Sequence, residues 1–315
     1  MQSRHFQPAD LEYFIEICRL GSIAQAAIQL GVTQPALSKC IRRLEQTAGA
    51  RLLDRTARGV SPTEMGELLL KRSSIILSEL DSARRTLQEL SGVRTGSVSI
   101  GVPPTLNHGF IPDLIELAFR QRPQLQFRVS EGLFQSLLPR LQSGELDFII
   151  SSPTAAEMEA PDLQCEHLGS NLFTACVSAD HPLNHADRIS DQSLHEYSWV
   201  LVPPRGVLRD QLDELFLARG LKRIEPQVET SSTVLSKALI MRQGFIGFLP
   251  LEVFASEEQA GLIRRLRLPW LYWQRDLTLI VRRSRSLTPA ANYAVELIRR
   301  EAADRLEQSR SADRP

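Results

Sequence analysis

The stretch VTQPALSKCIRRLE, residues 32–45, decides the fold of the N-terminal part of this 315-residue chain. Thr33 is a residue type that caps helices, and Pro35 falls in the first turn, where no backbone donor is needed. The proline therefore marks the start of a helix and not a break in one. Apolar residues follow at helical spacing and are predicted to face inward: Ala36, Leu37, Cys40, Ile41 and Leu44. The opposite side is polar and carries Gln34, Ser38, Lys39 and Arg42.

Two shorter helices and a basic ribbon surround this helix in the sequence. Apolar residues at positions 11, 14, 15 and 18 predict a first amphipathic helix that ends at Gly21. Ser22 is a suitable N-cap for a second helix, and Gly31 is a suitable end for it. Residues 49–63, GARLLDRTARGVSPT, then predict a short basic ribbon bracketed by glycines and a proline. The pattern is that of a helix-turn-helix followed by a wing.

The distribution of charge favours a polyanionic partner for this region. Lys plus Arg and Asp plus Glu are equal at 37 each, so net charge alone indicates no partner. Residues 31–60, however, contain six basic and two acidic side chains. In a helix-turn-helix, the N-terminal turn of the last helix meets base edges in the major groove, where Gln34 suits adenine and Arg42 suits guanine or phosphate. The alternative is a plain three-helix bundle with a solvated polar side.

A long helix is predicted from the cap residue Thr63 to about residue 90, a length of roughly 40 Å. Its apolar side is too long for so small a domain to cover, and it comprises Met65, Leu68, Leu69, Ile75, Ile76, Leu80, Ala83, Leu87 and Leu90. Pairing with a second copy of the chain would cover it, with Leu69, Ile76, Leu80 and Leu87 in the seam. The alternative is a helix that lies on its own C-terminal domain.

The C-terminal part alternates strands with helices, which predicts an α/β fold with largely parallel sheets and right-handed crossovers. A strand near Leu277 and a final helix over residues 289–306 are expected to return to the first half. Two such lobes would share a crevice at the carboxyl ends of their strands, a common site for small ligands. The predicted boundaries are a winged helix-turn-helix over 1–62, a linker helix over 63–91, a first lobe over 92–164 with 267–306, a second lobe over 165–266, and a disordered tail over 307–315.

Residues 14–66, from FIEICRLGSIAQAA through TQPALSKCIRRLE to SPTEMG, are similar to the N-terminal signature of LysR-type transcriptional regulators. The segments GSVSIGV, SGELDFII and QGFIGFLP resemble markers of that family's effector domain and occur in the expected order. The resemblance implies a winged helix-turn-helix, a dimerising linker helix and a two-lobed domain of the periplasmic-binding-protein type. It also implies a homodimer that assembles further to a homotetramer, binds double-stranded promoter DNA and responds to a small-molecule inducer without another cofactor.

The family's DNA-contacting positions can be carried over where the motif matches. Gln34, Pro35 and Ser38 correspond to base-reading positions, and Thr33 orients their helix. Four basic residues correspond to probable phosphate contacts, namely Lys39, Arg42, Arg55 and Arg58.

Candidate effector residues follow strands or precede helices in both lobes. Thr105 follows the first strand, where family members often keep a hydroxyl for an anionic ligand, although a helix cap is the alternative. Arg205 and Gly206 precede a helix of the second lobe, and a surface arginine is the alternative there. Ser232 and Thr233 follow a strand and are expected to face the crevice.

Two departures from the family pattern bear on the ligand. Phe134 stands where relatives commonly have a small hydroxyl residue, and Ser152 stands where some dicarboxylate-responsive members have arginine. A wall with one phenyl ring and no second cation favours a monoanion with an apolar or aromatic body, or a sugar-like ligand.

An enzyme and an exported solute-binding protein are the rival classes. The chain contains no GxxxxGK[ST], GxGxxG, HExxH or GxSxG motif, and His181 and His185 form a poor metal pair beside Pro182. His108 is a candidate base without an evident nucleophile. The N-terminus lacks the apolar run of a signal peptide, and no segment has the ~18 apolar residues of a membrane span. Four cysteines without a CxxC pair agree with reduced thiols, so we expect a cytoplasmic protein that is not an enzyme.

Overall fold

The computed structural model describes residues 5–56, 59–92, 96–185, 189–204, 207–283 and 286–312. The N-terminal elements are helices and one antiparallel hairpin: α1 (Pro8–Leu20), α2 (Ile23–Leu30), α3 (Gln34–Ala48), β1 (Leu53–Thr56) and β2 (Gly59–Pro62). Thr33 Oγ1 accepts a hydrogen bond from Ala36 N at 3.4 Å, and Ser22 Oγ accepts one from Gln25 N at 3.3 Å. The predicted three helices and their caps are therefore confirmed.

A shared core holds the three helices together. Its fully enclosed side chains come from all three helices and include Leu11, Phe14, Ile17, Ala26, Leu37 and Leu44. Ala36 was predicted to face inward and is exposed, because the buried stripe of α3 begins at Leu37 and the first turn projects beyond α2. That projecting turn is the part of α3 that a partner can reach.

The hairpin is fixed to the helices through a close backbone approach. Gly59 has a φ of +134°, and a Cβ at this position would lie 2.2 Å from Gly21 O, so only glycine fits. Val60 N donates to Gly21 O at 2.8 Å, and Leu52 N donates to Glu45 Oε1 at 3.0 Å. The wing is thereby held at a fixed distance from α3.

The long helix α4 (Glu64–Leu90) begins at its predicted cap, where Gly66 N donates to Thr63 Oγ1 at 3.0 Å. Its first half packs against the three-helix core through Leu69 and Leu77. Its second half lies on the first lobe, where Glu79 pairs with Arg282 at 3.1 Å. The alternative of a helix resting on its own C-terminal domain is thus correct for part of the helix.

The C-terminal elements alternate as the sequence predicted. In chain order they are β3 (Ser97–Val102), α5 (Phe110–Gln121), β4 (Gln126–Glu131), α6 (Phe134–Ser143), β5 (Phe148–Ser151), α7 (Ala155–Met158), β6 (Leu163–Ser178), β7 (Trp199–Leu201), α8 (Val207–Ala218), β8 (Val228–Glu229), α9 (Thr233–Gln243), β9 (Ile246–Pro250), α10 (Leu251–Gln259), β10 (Ile263–Arg265), β11 (Tyr272–Arg282) and α11 (Pro289–Ala312). A short 3₁₀ helix, Pro104–His108, follows β3.

The strands of both lobes join in one mixed sheet, which among the described residues has nine strands. The order is β4-β3-β5-β11-β6-β9-β7-β8, with β10 on β6. Pairs within each lobe, such as β3 with β4 and β7 with β9, are parallel as predicted. The prediction of largely parallel sheets misses the crossing strands β6 and β11, which pair antiparallel with each other and with their neighbours. Both strands are long, with 16 residues in β6 and 11 in β11, because each continues from one lobe into the other.

The last helix also differs from its prediction. It extends to Ala312, so the tail that was expected to be disordered from residue 307 is helical as far as the structure describes it. Residues 307–314 contain neither proline nor glycine, the two residue types that usually end a helix. Within the described ranges, no helix is both long and apolar enough to cross a membrane.

Candidate DNA-binding surface and effector crevice

The first turn of α3 presents its polar side chains to solvent. Gln34, Pro35, Lys39 and Arg42 are exposed, and Ser38 is half-buried. Gln34 and Pro35 open the helix, whose unpaired backbone donors and dipole favour anions there. The exposed side of α3 therefore combines an amide that can both donate and accept, at Gln34, with two cations about one and two turns further along, at Lys39 and Arg42.

A cleft of about 540 Å³ separates α3 from the wing and is lined by Ser38, Arg42, Glu45, Arg51 and Asp54 among others. The basic side chains Arg42 and Arg51 lie on opposite walls, since one belongs to the helix and the other precedes the hairpin. Arg55 belongs to β1, of which only the backbone is described at this position, and Arg58 lies outside the described residues. The wing thus faces the same cleft as the polar side of α3.

Arg43 has a structural partner that the sequence did not reveal. Its guanidinium makes a two-point contact with the carboxylate of Asp10, with Nε 2.7 Å from Oδ2. Asp10 is 3% exposed, and the hydrogen bond to it raises the pKa of Arg43. The pair joins α1 to α3. The signal that could have predicted this ion pair was Asp10, an acidic residue directly before Leu11, the first apolar position of α1.

An apolar stripe on α4 remains uncovered along most of the helix. Its six large side chains are between 42% and 72% exposed: Met65, Leu68, Ile76, Leu80, Leu87 and Leu90. Three of the four predicted seam residues, Ile76, Leu80 and Leu87, belong to this stripe. Leu69 does not, because it turns toward the three-helix core of its own chain.

The predicted effector positions of the first lobe lie at the carboxyl ends of neighbouring strands. Thr105 is half-buried within the 3₁₀ helix after β3 and is not its cap, since Pro103 occupies that position. Ser152 directly follows β5, which runs parallel beside β3. These two residues therefore stand at the same edge of the sheet.

A hydrogen bond connects this edge of the first lobe to the second lobe. His108 Nε2, in the 3₁₀ helix, lies 2.8 Å from Thr233 Oγ1 in the first turn of α9. Burial, and to a smaller degree the charge of Lys237, lowers the pKa of His108. Ser232 is the exposed N-cap of α9, with its hydroxyl accepting from Leu235 N at 3.2 Å. Thr233 thus contacts the first lobe through this hydrogen bond, whereas the Ser232 hydroxyl caps α9.

Phe134 does not line the crevice, contrary to the prediction. It is 5% exposed and packs in a core cluster with Leu137 and Leu141. Phe134 is the first residue of α6, and the helix turns its ring inward while the preceding Leu133 is left exposed. Arg205 and Gly206 lie outside the described residues.

The structure adds a residue that the sequence reasoning missed. Arg275 on β11 donates from Nη2 to the backbone oxygen of Ser152 at 2.8 Å. Desolvation lowers the pKa of Arg275, with the charge of Glu157 acting in the opposite direction. Arg275 lies two residues before Leu277, outside the segment LTLIVRR that the sequence predicted as a strand, and it was missed because the observed strand β11 begins earlier, at Tyr272.

The described residues contain no group of three or more His, Cys, Asp or Glu side chains placed to hold a metal ion. His181, from the His-rich segment, is buried, and its Nδ1 accepts from Leu183 N at 3.2 Å. By accepting this hydrogen bond, the His181 ring stabilises the turn that follows β6.

Comparison with protein families assigns both halves of the chain. Residues 8–67 match the family described as "Bacterial regulatory helix-turn-helix protein, lysR family". Residues 91–303 match the family described as "LysR substrate binding domain". The two matches together cover the helix-turn-helix with its wing and the C-terminal elements from β3 to the middle of α11, and they leave most of α4 between them.

Individual relatives agree with this assignment. The transcriptional regulator TdcA of Escherichia coli K12 is 31% identical over 77% of this chain and 77% of its own length. The uncharacterised regulator YybE of Bacillus subtilis is 30% identical over 89% of this chain and 94% of its own. The regulator GalR of Pseudomonas putida is 28% identical over 93% of this chain and 74% of its own.

Solved structures share the fold. Full-length CbnR in complex with its target DNA superposes with a TM-score of 0.67 at 20% identity, covering 94% of this chain and 100% of that one. ArgP from Mycobacterium tuberculosis gives a TM-score of 0.68 at 19% identity, covering 95% and 98%. The chain belongs to the LysR family of DNA-binding transcriptional regulators, with an N-terminal helix-turn-helix and a C-terminal effector-binding domain.

Proposed function

We propose that this regulator recognises promoter DNA through the first turn of α3 and contacts the phosphate backbone of the DNA through basic side chains of α3 and the wing. Gln34, Pro35 and Ser38 would meet base edges in the major groove, and the Thr33 cap would hold their helix in register. The phosphate contacts would come from basic residues of α3 and the wing, namely Lys39, Arg42, Arg55 and Arg58. The observation that carries this proposal is the exposure of Gln34 at a helix start, with Arg42 and Arg51 lining the cleft behind it.

The active form in this proposal is a homodimer joined through α4, which associates further to a homotetramer. The support is the stripe of exposed large apolar residues centred on Ile76 and Leu80, which neither the helix-turn-helix nor the first lobe covers. A second antiparallel or parallel copy of α4 would bury it over nearly the full helix. Two helix-turn-helix units would then reach two half-sites on one face of the duplex.

The signal in this proposal is a small organic effector that enters the crevice between the lobes. Thr105, Ser152 and Thr233 stand at its edges, and the lobes touch there through the hydrogen bond between His108 and Thr233. Because Phe134 is buried, its ring does not support an aromatic body for the ligand, and we propose a small monoanionic or sugar-like metabolite. The chain acts by binding in this account and carries out no chemical step.

An electrophoretic mobility shift with the DNA upstream of the gene tests the proposal. We expect a complex whose affinity falls steeply with salt, because bound cations release counterions from phosphates. Arg42→Ala should weaken binding to every sequence and lower the salt slope by about 1. A matched exposed arginine far from α3, Arg267, provides the control Arg267→Ala. A wild-type protein that ignores the duplex at low salt contradicts the proposal.

A further inference from the structure

Arg275 is an enclosed cation at the edge of the crevice for which the described chain supplies no counter-ion. It is half-buried, its Nη2 donates to Ser152 O at 2.8 Å, and its guanidinium carbon lies 5.5 Å from the centre of the Trp273 ring. It forms no ion pair with any residue in the described ranges. Burial without a paired charge is unfavourable for an ionised side chain.

The other enclosed arginines all have a carboxylate partner, so the absence at Arg275 is not a general feature of this fold. Among described arginines that are buried or half-buried, the remaining pairs are Arg85 with Asp81, Arg140 with Glu145, Arg209 with Asp213, Arg282 with Glu79, and Arg299 with Glu166. Their N–O distances run from 2.5 to 3.4 Å. Desolvation is the main cause that lowers the pKa of Arg275, as expected for a cation without a paired charge.

The acid whose charge reaches Arg275 is already engaged elsewhere. Glu157 Oε2 accepts from the backbone and hydroxyl of Thr154, at 2.7 and 3.0 Å, and completes the capping box of α7. Its other oxygen accepts from Gln135 Nε2 at 2.8 Å. Both carboxylate oxygens of Glu157 therefore already accept hydrogen bonds from the first turns of α6 and α7, and neither oxygen forms an ion pair with Arg275.

The position of Arg275 on the sheet is that of a ligand-binding residue. Thr278 of β11 pairs with Ser151 of β5, so Arg275 lies three residues further along, past the carboxyl end of β5. This is the edge at which Thr105 and Ser152 stand. The guanidinium has five N–H donors, and Ser152 O takes one of them.

We propose that Arg275 is the residue that holds the effector, by pairing with a carboxylate of that ligand. A carboxylate can accept two parallel N–H bonds from the donors that Ser152 leaves available. One cation without a counter-ion matches one negative charge, so the effector class is a monocarboxylate. This inference rests on the proposed function and specifies the ligand chemistry of the same crevice.

Thermal unfolding of the full-length protein tests this assignment with acetate as the probe. Sodium acetate replaces sodium chloride at constant ionic strength, and acetamide serves as the neutral analogue. We expect acetate to raise the Tm of the wild type by about 2 °C or more, because ligands that bind only the native state stabilise it. Acetamide should have no effect. Arg275→Gln should lose the response, and the control Arg267→Gln should keep it.

The same variants separate a ligand-binding arginine from a structural one. Without acetate, Arg275→Gln should have a Tm equal to or above that of the wild type, because a charge without a counter-ion is removed and an amide can still donate to Ser152 O. A lower Tm for Arg275→Gln without acetate, or an acetate response that is absent from the wild type or retained in that variant, overturns the inference. A protein that shifts promoter DNA while failing this test leaves the proposed function intact and removes only the role of Arg275.

Discussion

Two adjacent arginines of α3 should affect different properties when each is replaced by alanine, one the affinity for DNA and the other the stability of the fold. Arg42 is exposed beside the cleft, whereas Arg43 pairs with the buried carboxylate of Asp10. Arg42→Ala should reduce DNA affinity and leave the fold unchanged. Arg43→Ala should loosen the contact between α1 and α3, because the carboxylate of Asp10 would keep its burial and lose its partner.

The size of the effect follows from the burial of the two partners. The side chain of Asp10 is 4% exposed, while that of Arg43 is 51% exposed. Breaking a fully buried pair costs about 3–5 kcal/mol, and an exposed pair is worth about 1 kcal/mol or less. With one partner buried and the other half in water, we expect a loss of about 2 kcal/mol in the free energy of opening for α1 and α3. The matching increase in the opening equilibrium is roughly 30-fold.

Hydrogen exchange by mass spectrometry on the full-length variants measures this opening locally. Peptides from α1 and α3 should exchange roughly 30-fold faster in Arg43→Ala and at the wild-type rate in Arg42→Ala. Adding Asp10→Asn to Arg43→Ala should recover part of the protection, since the second change removes the stranded charge. Equal exchange in the two single variants, or a double variant that is less protected than Arg43→Ala, would refute the reasoning.

Three further outcomes are expected from the described geometry. Gln34→Ala should relax sequence preference at one base pair by about 1–3 kcal/mol in competition shifts, and a uniform loss across all sequences would contradict a base-reading role. Leu80→Glu should lower the mass measured by light scattering, whereas Lys71→Glu, on the other side of α4, should not; an unchanged mass for both argues against the seam. Because burial and Lys237 lower the pKa of His108 against the weaker effects of Glu257 and Glu131, the folded state resists its protonation, and stability should fall as pH drops below about 6.5. His108→Gln should flatten part of that fall in thermal unfolding, and a slope identical to the wild type would exclude a contribution from this histidine.

The N-terminal fold could be predicted nearly residue by residue because its signals are local. Thr33, Pro35 and the bracketing glycines act within one turn of the chain, and the observed bounds of α3 follow from them. The errors there concern side chains and not elements. Ala36 lies one position before the buried stripe of α3 begins, and Leu69 shares a face of α4 with Leu87 but is covered because the three-helix core packs against that end of the helix.

In the effector domain, the sequence predicted most helices and strands, but it did not predict which strands pair or which side chains are buried. Phe134 follows the apolar pattern of α6, and family position alone placed it in the crevice. The first half of β6, LQCEHLGS, mixes polar and apolar residues without strict alternation, so the sequence pattern alone does not indicate a strand there. Antiparallel pairing between β6 and β11 joins segments about a hundred residues apart, a distance over which local pattern carries no information.

Arg275 and Arg282 show why the charge pairing at the candidate site could not be predicted from the sequence. Both lie on β11, seven residues apart, and both are enclosed by the sheet and its neighbours. Arg282 receives its counter-ion from Glu79 of α4, 203 positions earlier in the chain. Arg275 has none within the described residues and lies where the crevice opens. The sequence presents the two as equivalent basic residues of one strand. Only the positions of the carboxylates in the fold distinguish Arg282, which pairs with the linker helix, from Arg275, for which we propose a partner from outside the chain.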